Sequence, residues 1–478
     1  MINRASKILT VGAAVAALLS GCAYRMDRIE NPVAMPAAWN ATTTPNAKEG
    51  IDKEWWKNFN SPVLNDLIEE AFKSNPNIIQ TDERLKNAER TLSQARDGLF
   101  PELSVSASTS KGRSGGNNGR PETNTASTSL SLSSSYSVDL WGATAARYRA
   151  SVANFIGTRY DTDLAHIQLA QSIARSYFNL LGTRSQLEVA RQNLENAETQ
   201  LRIIQVRYDN GMVTQYELTQ QQTRVLQQRT NMIPQENSLR AAETALGLLL
   251  GQTPQDFKIE GEPIGELTVP EVAPWLPGDM LLRRPDIASA ETDMAAVQAN
   301  MVAARASLIP VSLSLSANGS SSSQELLTLT DTRNFSIQGA LSIATGIFNY
   351  RQRRNTYLTN KSNEYIALIT YANTIRTALK DVDDKLANVN AQMLAEQSQQ
   401  ATLDLAQRAM DLANLQYREG TSALQDLLTA QNSLESAKDA TARARISRLN
   451  AVIDLYVALG GGWEGPTESD LQLMQAKK

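Results

Sequence analysis

The sequence predicts a mainly α chain with a smaller β portion: two long antiparallel coiled-coil hairpins, each joined to a pair of alternating strands. Three observations lead there. The chain repeats itself at a spacing of 209 residues. Within each copy, apolar residues recur every seven positions along proline-poor stretches. Between those stretches lie runs that alternate apolar and polar with period two.

The repeat holds without a gap. Pro76 and Ile78 fall on Pro285 and Ile287, and Ala95, Arg96, Leu99 and Pro101 fall on Ala304, Arg305, Leu308 and Pro310. Tyr208 and Gly211 fall on Tyr417 and Gly420, and Leu250 and Gly251 on Leu459 and Gly460. Two copies of this size point to a duplicated unit and not to a solenoid. Each copy has the order helix, strand pair, very long helix, tight turn, long helix.

The first helical stretch covers 64–99. Ser61-Pro62 opens it, Asn75-Pro76 breaks it, and Gly98 with Pro101 closes it. In the strands that follow, Leu103, Val105 and Ala107 alternate with serines, as do Leu130, Leu132, Tyr136 and Val138. Residues 111–125, rich in Gly, Asn and Arg, read as a loop between them. The second copy repeats the pattern with Val311, Leu313 and Leu315, then Phe335, Ile337, Leu341 and Ile343, with 318–323 as part of its loop. Such strands either lie half-buried in a soluble sheet or line a membrane barrel. Four strands cannot close a barrel. In a membrane their open edges would need partner subunits, because lipid offers no hydrogen bonds.

Residues 142–208 contain no proline and predict a helix roughly 100 Å long. Leu180, Leu187, Leu194 and Leu201 recur every seven residues, with Ala190, Ala197 and Ile204 between them. The return helix carries Leu218, Val225, Met232, Leu239 and Leu246 at the same interval, and Pro234 inside it is expected to bend it. The second copy keeps Leu427, Leu434 and Leu455, but Thr441 and Arg448 interrupt the series. Its companion series is unbroken: Ala430, Ala437, Ala444, Ala451 and Ala458. Glycine at Asp209-Asn210-Gly211 and at Glu419-Gly420 folds each pair back on itself. The apolar stripes are narrow, so each hairpin needs lateral neighbours, and two per chain suggest a ring.

The chain opens with an export signal. Arg4 and Lys7 are its basic region, and 8–19 form an apolar stretch too short to span a bilayer. It ends in Leu19-Ser20-Gly21-Cys22, which resembles a bacterial lipobox. That resemblance implies cleavage before Cys22, the sole cysteine, and its acylation. Ala23 follows, not Asp, which implies onward transfer to the outer membrane. The segments are then 1–21 signal peptide, 22–60 N-terminal anchor, 61–251 first copy, 252–276 connector, 277–462 second copy and 463–478 tail.

Composition excludes several classes. Apolar residues make up 42% and charged residues 20%, which suits long polar-faced helices. A net charge of −4 gives no reason to expect a nucleic-acid partner. One cysteine rules out an internal disulfide, and a single histidine, His166, reads as an ordinary helix residue and not as a metal ligand. No phosphate loop and no nucleophile–histidine arrangement is present, so neither an enzyme nor a cofactor beyond the covalent lipid is expected.

The chain resembles the outer membrane factors of bacterial efflux and export systems, the TolC-like family, in its lipid-anchored drug-efflux branch. The residues that carry the resemblance are Trp55-Trp56-Lys57-Asn58-Phe59 leading into 64–67, Asp139-Leu140-Trp141-Gly142, and Arg284-Pro285-Asp286-Ile287 followed by Glu291. Ala304 with Pro310 and the twin Tyr-x-x-Gly turns complete the set. The resemblance implies a homotrimer whose strands close a 12-stranded barrel in the outer membrane and whose six hairpins form a periplasmic tunnel. It implies an equatorial belt from the N-terminal segment, 252–277 and the tail.

It also implies an acidic aperture six residues past each turn glycine, at Glu217 and Asp426. A second acid common three residues further on is replaced here by Thr429. The turns, Tyr208 with Gly211 and Tyr417 with Gly420, would dock a periplasmic adaptor (a membrane fusion protein) linked to an inner-membrane proton-driven pump. One departure is Ala23-Tyr24-Arg25-Met26-Asp27, where lipid-anchored members often have Gly-Pro-Asp-Tyr. The function implied is a passive exit duct for drugs or other small toxic compounds. The alternatives are a duct for an ATP-driven exporter of peptides, siderophores or proteins, or an envelope scaffold lipoprotein without a pore.

Overall fold

The computed structural model describes residues 33–40, 48–49, 51–114, 123–253, 255, 257–274, 277–323, 331, 334–345 and 348–475. Cys22 and the export signal lie outside the described residues. Helices are α1 (Pro62–Ser74), α2 (Pro76–Asp97), α3 (Ala143–Asp209), α4 (Gln215–Leu249), α5 (Pro285–Ala306), α6 (Tyr350–Arg418), α7 (Leu424–Ala458) and α8 (Glu468–Gln475). Strands are β1 (Lys48–Glu49), β2 (Glu102–Ser114), β3 (Thr123–Val138), β4 (Val272–Ala273), β5 (Val311–Ser323) and β6 (Phe335–Thr345).

The duplication in the sequence is a duplication in space. Elements α2, β2 and α4 map onto α5, β5 and α7 with the 209-residue displacement at both ends. The copies part at α1, whose counterpart in the second copy is β4 and a short 3-10 turn. Pro274 and Pro277 interrupt that stretch, whereas α1 holds its single proline at the first position, where no donor is lost.

Both copies close through one kind of junction. In the first, the Asn75 side chain donates to the Leu249 carbonyl at 2.7 Å. In the second, the Arg284 guanidinium donates to the Ala458 carbonyl at 2.5 Å. Each pair is the 209-residue image of the other. Next to them, Gly251 (φ 70°) and Gly460 (φ 106°) bring main chain onto main chain. A Cβ would fall 2.4 Å from the Ser74 carbonyl oxygen at Gly251 and 1.9 Å from that of Arg283 at Gly460.

The hairpins follow the heptads. At 67 and 69 residues, α3 and α6 are each roughly 100 Å long. Leu180, Leu187, Ala197 and Ile204 are buried on α3, facing Leu218, Val225 and Leu246 on α4. Helix α4 runs unbroken through Pro234, which removes one donor from the ladder without ending the helix. On α7, Ala437, Ala451 and Ala458 are buried, while Ala430 and Ala444 are only half-buried.

Midway along α3, three distant segments converge. Trp55 is fully buried, stacked on Tyr456 at 5.4 Å, and Phe59 meets Phe178 edge-on at 5.1 Å. The connector adds Ile264 and Leu267 to this core, and β4 pairs with β1. From the tail, Trp463 packs on Tyr160 and donates its indole N–H to Asp163 at 2.9 Å, while Arg159 pairs with Asp470. Burial pushes the Asp163 carboxyl above the usual carboxylate range. His166 rests against Phe72 and bonds the Thr162 carbonyl, an ordinary packed helix residue.

The strands form one antiparallel sheet of order β2-β3-β5-β6. Strand pairing reaches further than the sequence suggests. Lys111–Ser114 and Thr123–Thr125 pair within the expected loop 111–125, and 318–323 belongs to β5. Main-chain ladders need no particular side chain, so Gly, Asn and Ser do not end them here.

Candidate functional site: the hairpin tips and the sheet

At the tips, each first helix ends in a glycine turn. The Gly211 N–H reaches the Tyr208 carbonyl at 2.9 Å, and the Met212 N–H reaches that of Arg207 at 2.8 Å. Gly420 and Thr421 repeat the pair on Tyr417 and Gln416. Gly211 (φ 71°) and Gly420 (φ 72°) both sit in the left-handed region.

The acids predicted for the aperture begin the return helices. Glu217 accepts from the Thr214 N–H at 2.7 Å, and the Thr214 hydroxyl accepts from the Glu217 N–H at 3.3 Å, a reciprocal capping box. Asp426 accepts from the Ala423 N–H at 3.3 Å, but Ala423 has no side-chain oxygen to return the bond, and the Asp426 N–H turns to the Ala423 main-chain carbonyl at 3.1 Å. The second tip is therefore half-capped. Ala423→Ser should complete the box and stabilise that hairpin end by about 0.5–1 kcal/mol, read as higher amide-exchange protection at 424–428. Asp426 and Thr429 are exposed, and Glu217 is half-buried. Thr429 bonds back to the Gln425 carbonyl at 2.8 Å and brings no second carboxylate.

Of the four positions expected to dock a partner, Gly211 and Gly420 are exposed and Tyr208 is half-buried. Tyr417 differs from them: its ring is buried with Ile204, Leu218, Leu424 and Leu427, and Arg207 lies 5.2 Å from the ring centroid. It packs the tips together instead of offering surface, because an aromatic ring gains more from that apolar seam than from water.

About two turns above, a polar cluster unforeseen from sequence joins the hairpins. Arg224 donates to Asn432 at 2.6 Å and to Glu435 at 2.8 Å, and Gln228 donates to the other Glu435 oxygen at 2.9 Å. The Arg224 side chain is 9% exposed. All four residues read as polar-face residues, and nothing in their spacing signals a shared contact.

The sheet divides cleanly by face. One side carries Leu103, Val105, Leu130, Leu132, Leu315, Ile337, Leu341 and Ile343, all exposed or half-exposed to solvent in the single chain. The other is a hydroxyl lattice: Ser104–Ser133 at 2.7 Å, Ser106–Ser131 at 2.6 Å, Ser108–Ser129 at 2.8 Å and Ser320–Ser336 at 2.9 Å. Glu102 is its only ionised side chain among the described residues. The outer strands β2 and β6 each pair on one side only, among the described residues. No described helix is long and apolar enough to cross a membrane.

Comparison with known families finds the outer membrane efflux protein profile twice, over residues 67–252 and 276–461. The two matches are displaced by the same 209 residues as the repeat. The chain belongs to the outer membrane efflux protein family. It is similar to the pyoverdine export outer membrane protein OpmQ of Pseudomonas aeruginosa, 32% identical over 94% of this chain and 95% of that protein. The antibiotic efflux pump outer membrane protein ArpC of Pseudomonas putida is 27% identical, over 96% of each chain. In fold it matches the CmeC outer membrane channel of Campylobacter jejuni with a TM-score of 0.83, at 23% identity, over 95% of this chain and 98% of that one. The chain described here is thus an outer membrane efflux protein and not an enzyme.

Proposed function

We propose that this efflux protein is the passive exit duct of a tripartite system, closed as a homotrimer. Three copies of the four-stranded sheet form the barrel, and six hairpins form the periplasmic tunnel below it. Acylated Cys22 anchors each subunit in the outer membrane. The cargo is drugs or other small toxic compounds, handed over by a periplasmic adaptor that docks at the turns and driven by an inner-membrane proton-driven pump.

One observation carries the reading. A sheet with a solvent-exposed apolar face, a hydroxyl face and two singly paired edges stands at one end of helices roughly 100 Å long. The apolar face is unfavourable in water, and the open edges are unfavourable in lipid. Joining three sheets edge to edge removes the second penalty, and setting the closed sheet in a bilayer with its apolar face outward removes the first.

The test is the mass and conductance of the purified protein. A species of three chains that opens channels in planar bilayers is expected. No channels, even after the Arg224–Glu435 contact is removed to loosen the tips, would sink the duct in favour of a scaffold lipoprotein. Within the duct, three Asp426 carboxylates in a narrow opening favour cations. Asp426→Ala should raise conductance or weaken cation preference. An unchanged channel would place Asp426 away from the constriction.

A second cargo reading, an outlet for a product the cell itself secretes, is favoured by the similarity to a protein named for pyoverdine export. Deleting the gene separates the two: drug sensitivity supports the first, and periplasmic retention of a secreted metabolite supports the second.

A further inference from the structure

Exposed aromatic rings stand at both limits of the apolar face. Phe335 lies at the far end, while Phe100 precedes β2, and Phe348 and Tyr350 follow β6. Trp141, just before α3, donates its indole N–H to the Val311 carbonyl at 2.8 Å. Girdles of this kind mark the two levels at which lipid meets water.

On the helix side of the second girdle, a groove of about 480 Å³ lies between the start of α3, the end of α5 and the start of α6. Apart from Ala303 and Ala304 its lining is polar, and it carries no carboxylate among the described residues. Arg147 is exposed there, and its guanidinium has no hydrogen bond or ion pair among the described residues. The side-chain amides of Asn300, Asn349 and Gln352, also exposed, are equally without partners among them. Arg353 lines the same groove and already has an interaction of its own. A cation and three amides therefore converge with no anion to meet them, in a chain whose net charge is −4.

The depth of the groove fits a lipid headgroup. Helix α3 begins at Ala143, beside the girdle, and Arg147 lies ~6 Å further along it. The headgroup layer on each side of the hydrocarbon is roughly 5–7 Å deep. A guanidinium at that depth meets phosphate oxygens with a planar fork of donors.

Resting on the reading of the sheet as the outer-membrane barrel, we infer that this groove binds the phosphate headgroup of an anionic lipid from the periplasmic leaflet. Arg147 takes the phosphate, and the three amides take the polar remainder of the headgroup.

The experiment uses the full-length protein in mild detergent, titrated with phosphatidylglycerol, with net-neutral phosphatidylcholine and with soluble glycerol phosphate, and read by native mass spectrometry. The parent should prefer phosphatidylglycerol. Arg147→Gln should lower that affinity about tenfold, and Gln352→Glu, which sets a carboxylate in the groove, should lower it independently. Arg96→Gln removes an exposed charge at the end of α2, outside the groove, and should bind like the parent. A parent without preference, an Arg147→Gln protein that binds like the parent, or an equal loss in Arg96→Gln overturns the site. Displacement of the lipid by an equal concentration of glycerol phosphate overturns the lipid in favour of a soluble phosphate ester. Planar-bilayer conductance of the same preparations separates this from the underlying reading. If the parent opens no channels, the barrel falls and the lipid site with it. If channels open and the preference is absent or unaltered by Arg147→Gln, the lipid site alone falls.

Discussion

Alanine at Gly460 is expected to destabilise the protein by about 3 kcal/mol or more. A left-handed conformation costs a non-glycine residue about 1–2 kcal/mol, and overpacking a filled site typically adds about 1–3 kcal/mol. Both apply here, since φ is 106° and the new methyl would lie 1.9 Å from the Arg283 carbonyl oxygen. That carbonyl cannot easily retreat. The next residue, Arg284, is tied to the Ala458 carbonyl, Asp286 and Asp381. Gly251→Ala should act in the same direction but less strongly, with φ 70° and a 2.4 Å approach. Chemical unfolding followed by circular dichroism measures both. A loss under about 1 kcal/mol at Gly460 would mean that the junction is pliable and the close approach incidental.

This junction also shows what the sequence conveys and what it withholds. Leu250-Gly251 and Leu459-Gly460 are visible as repeated letters. Their shared role, seating the end of a return helix on the start of a short one, requires contacts across 174 residues in each copy. The long helices are legible because a seven-residue interval has one physical reading, a seam between helices. The strands are legible through their alternation, but their ends are not: Lys111–Ser114 looks like loop and is ladder. At the tips, the family resemblance points to Glu217 and Asp426, six residues past the turn glycines, and both lie in the first turn of a return helix. The inward packing of Tyr417 and the Arg224–Glu435 contact are illegible. Each depends on how one hairpin leans on the other, which no local pattern records.

Arginine at Leu132 is expected to abolish assembly in the membrane. Leu132 lies near the middle of β3, opposite Val105 on one side and Gly319 on the other. In a closed barrel with this face outward, it sits close to the bilayer midplane. An arginine there costs about 2–4 kcal/mol, and a trimer bears the cost three times. Heat-stable trimers should vanish from outer-membrane fractions. The neighbouring substitution Ser131→Arg is the internal control, because Ser131 belongs to the hydroxyl face. It should assemble and shift the channel toward anions. If Leu132→Arg inserts as well as the parent, the apolar face is not the lipid face. If Ser131→Arg alone is lost, the two faces are the reverse of the assignment made here.

The hydroxyl lattice has a consequence for traffic. In Ser104–Ser133, Ser106–Ser131, Ser108–Ser129 and Ser320–Ser336, each pair already shares a proton across the strands. Such a wall is wettable, a hydroxyl pair closed by one bond keeps its second O–H proton free, and its one carboxylate among the described residues lies at the base of β2, at Glu102. A molecule leaving through it would find a sleeve lined mainly by hydroxyls, with no charge beyond Glu102 and only Ala340 and Ala344 as small apolar patches among the described residues. In the proposed duct, selection among solutes would then act before they reach the sheet, and the last stretch of the route would only have to let go.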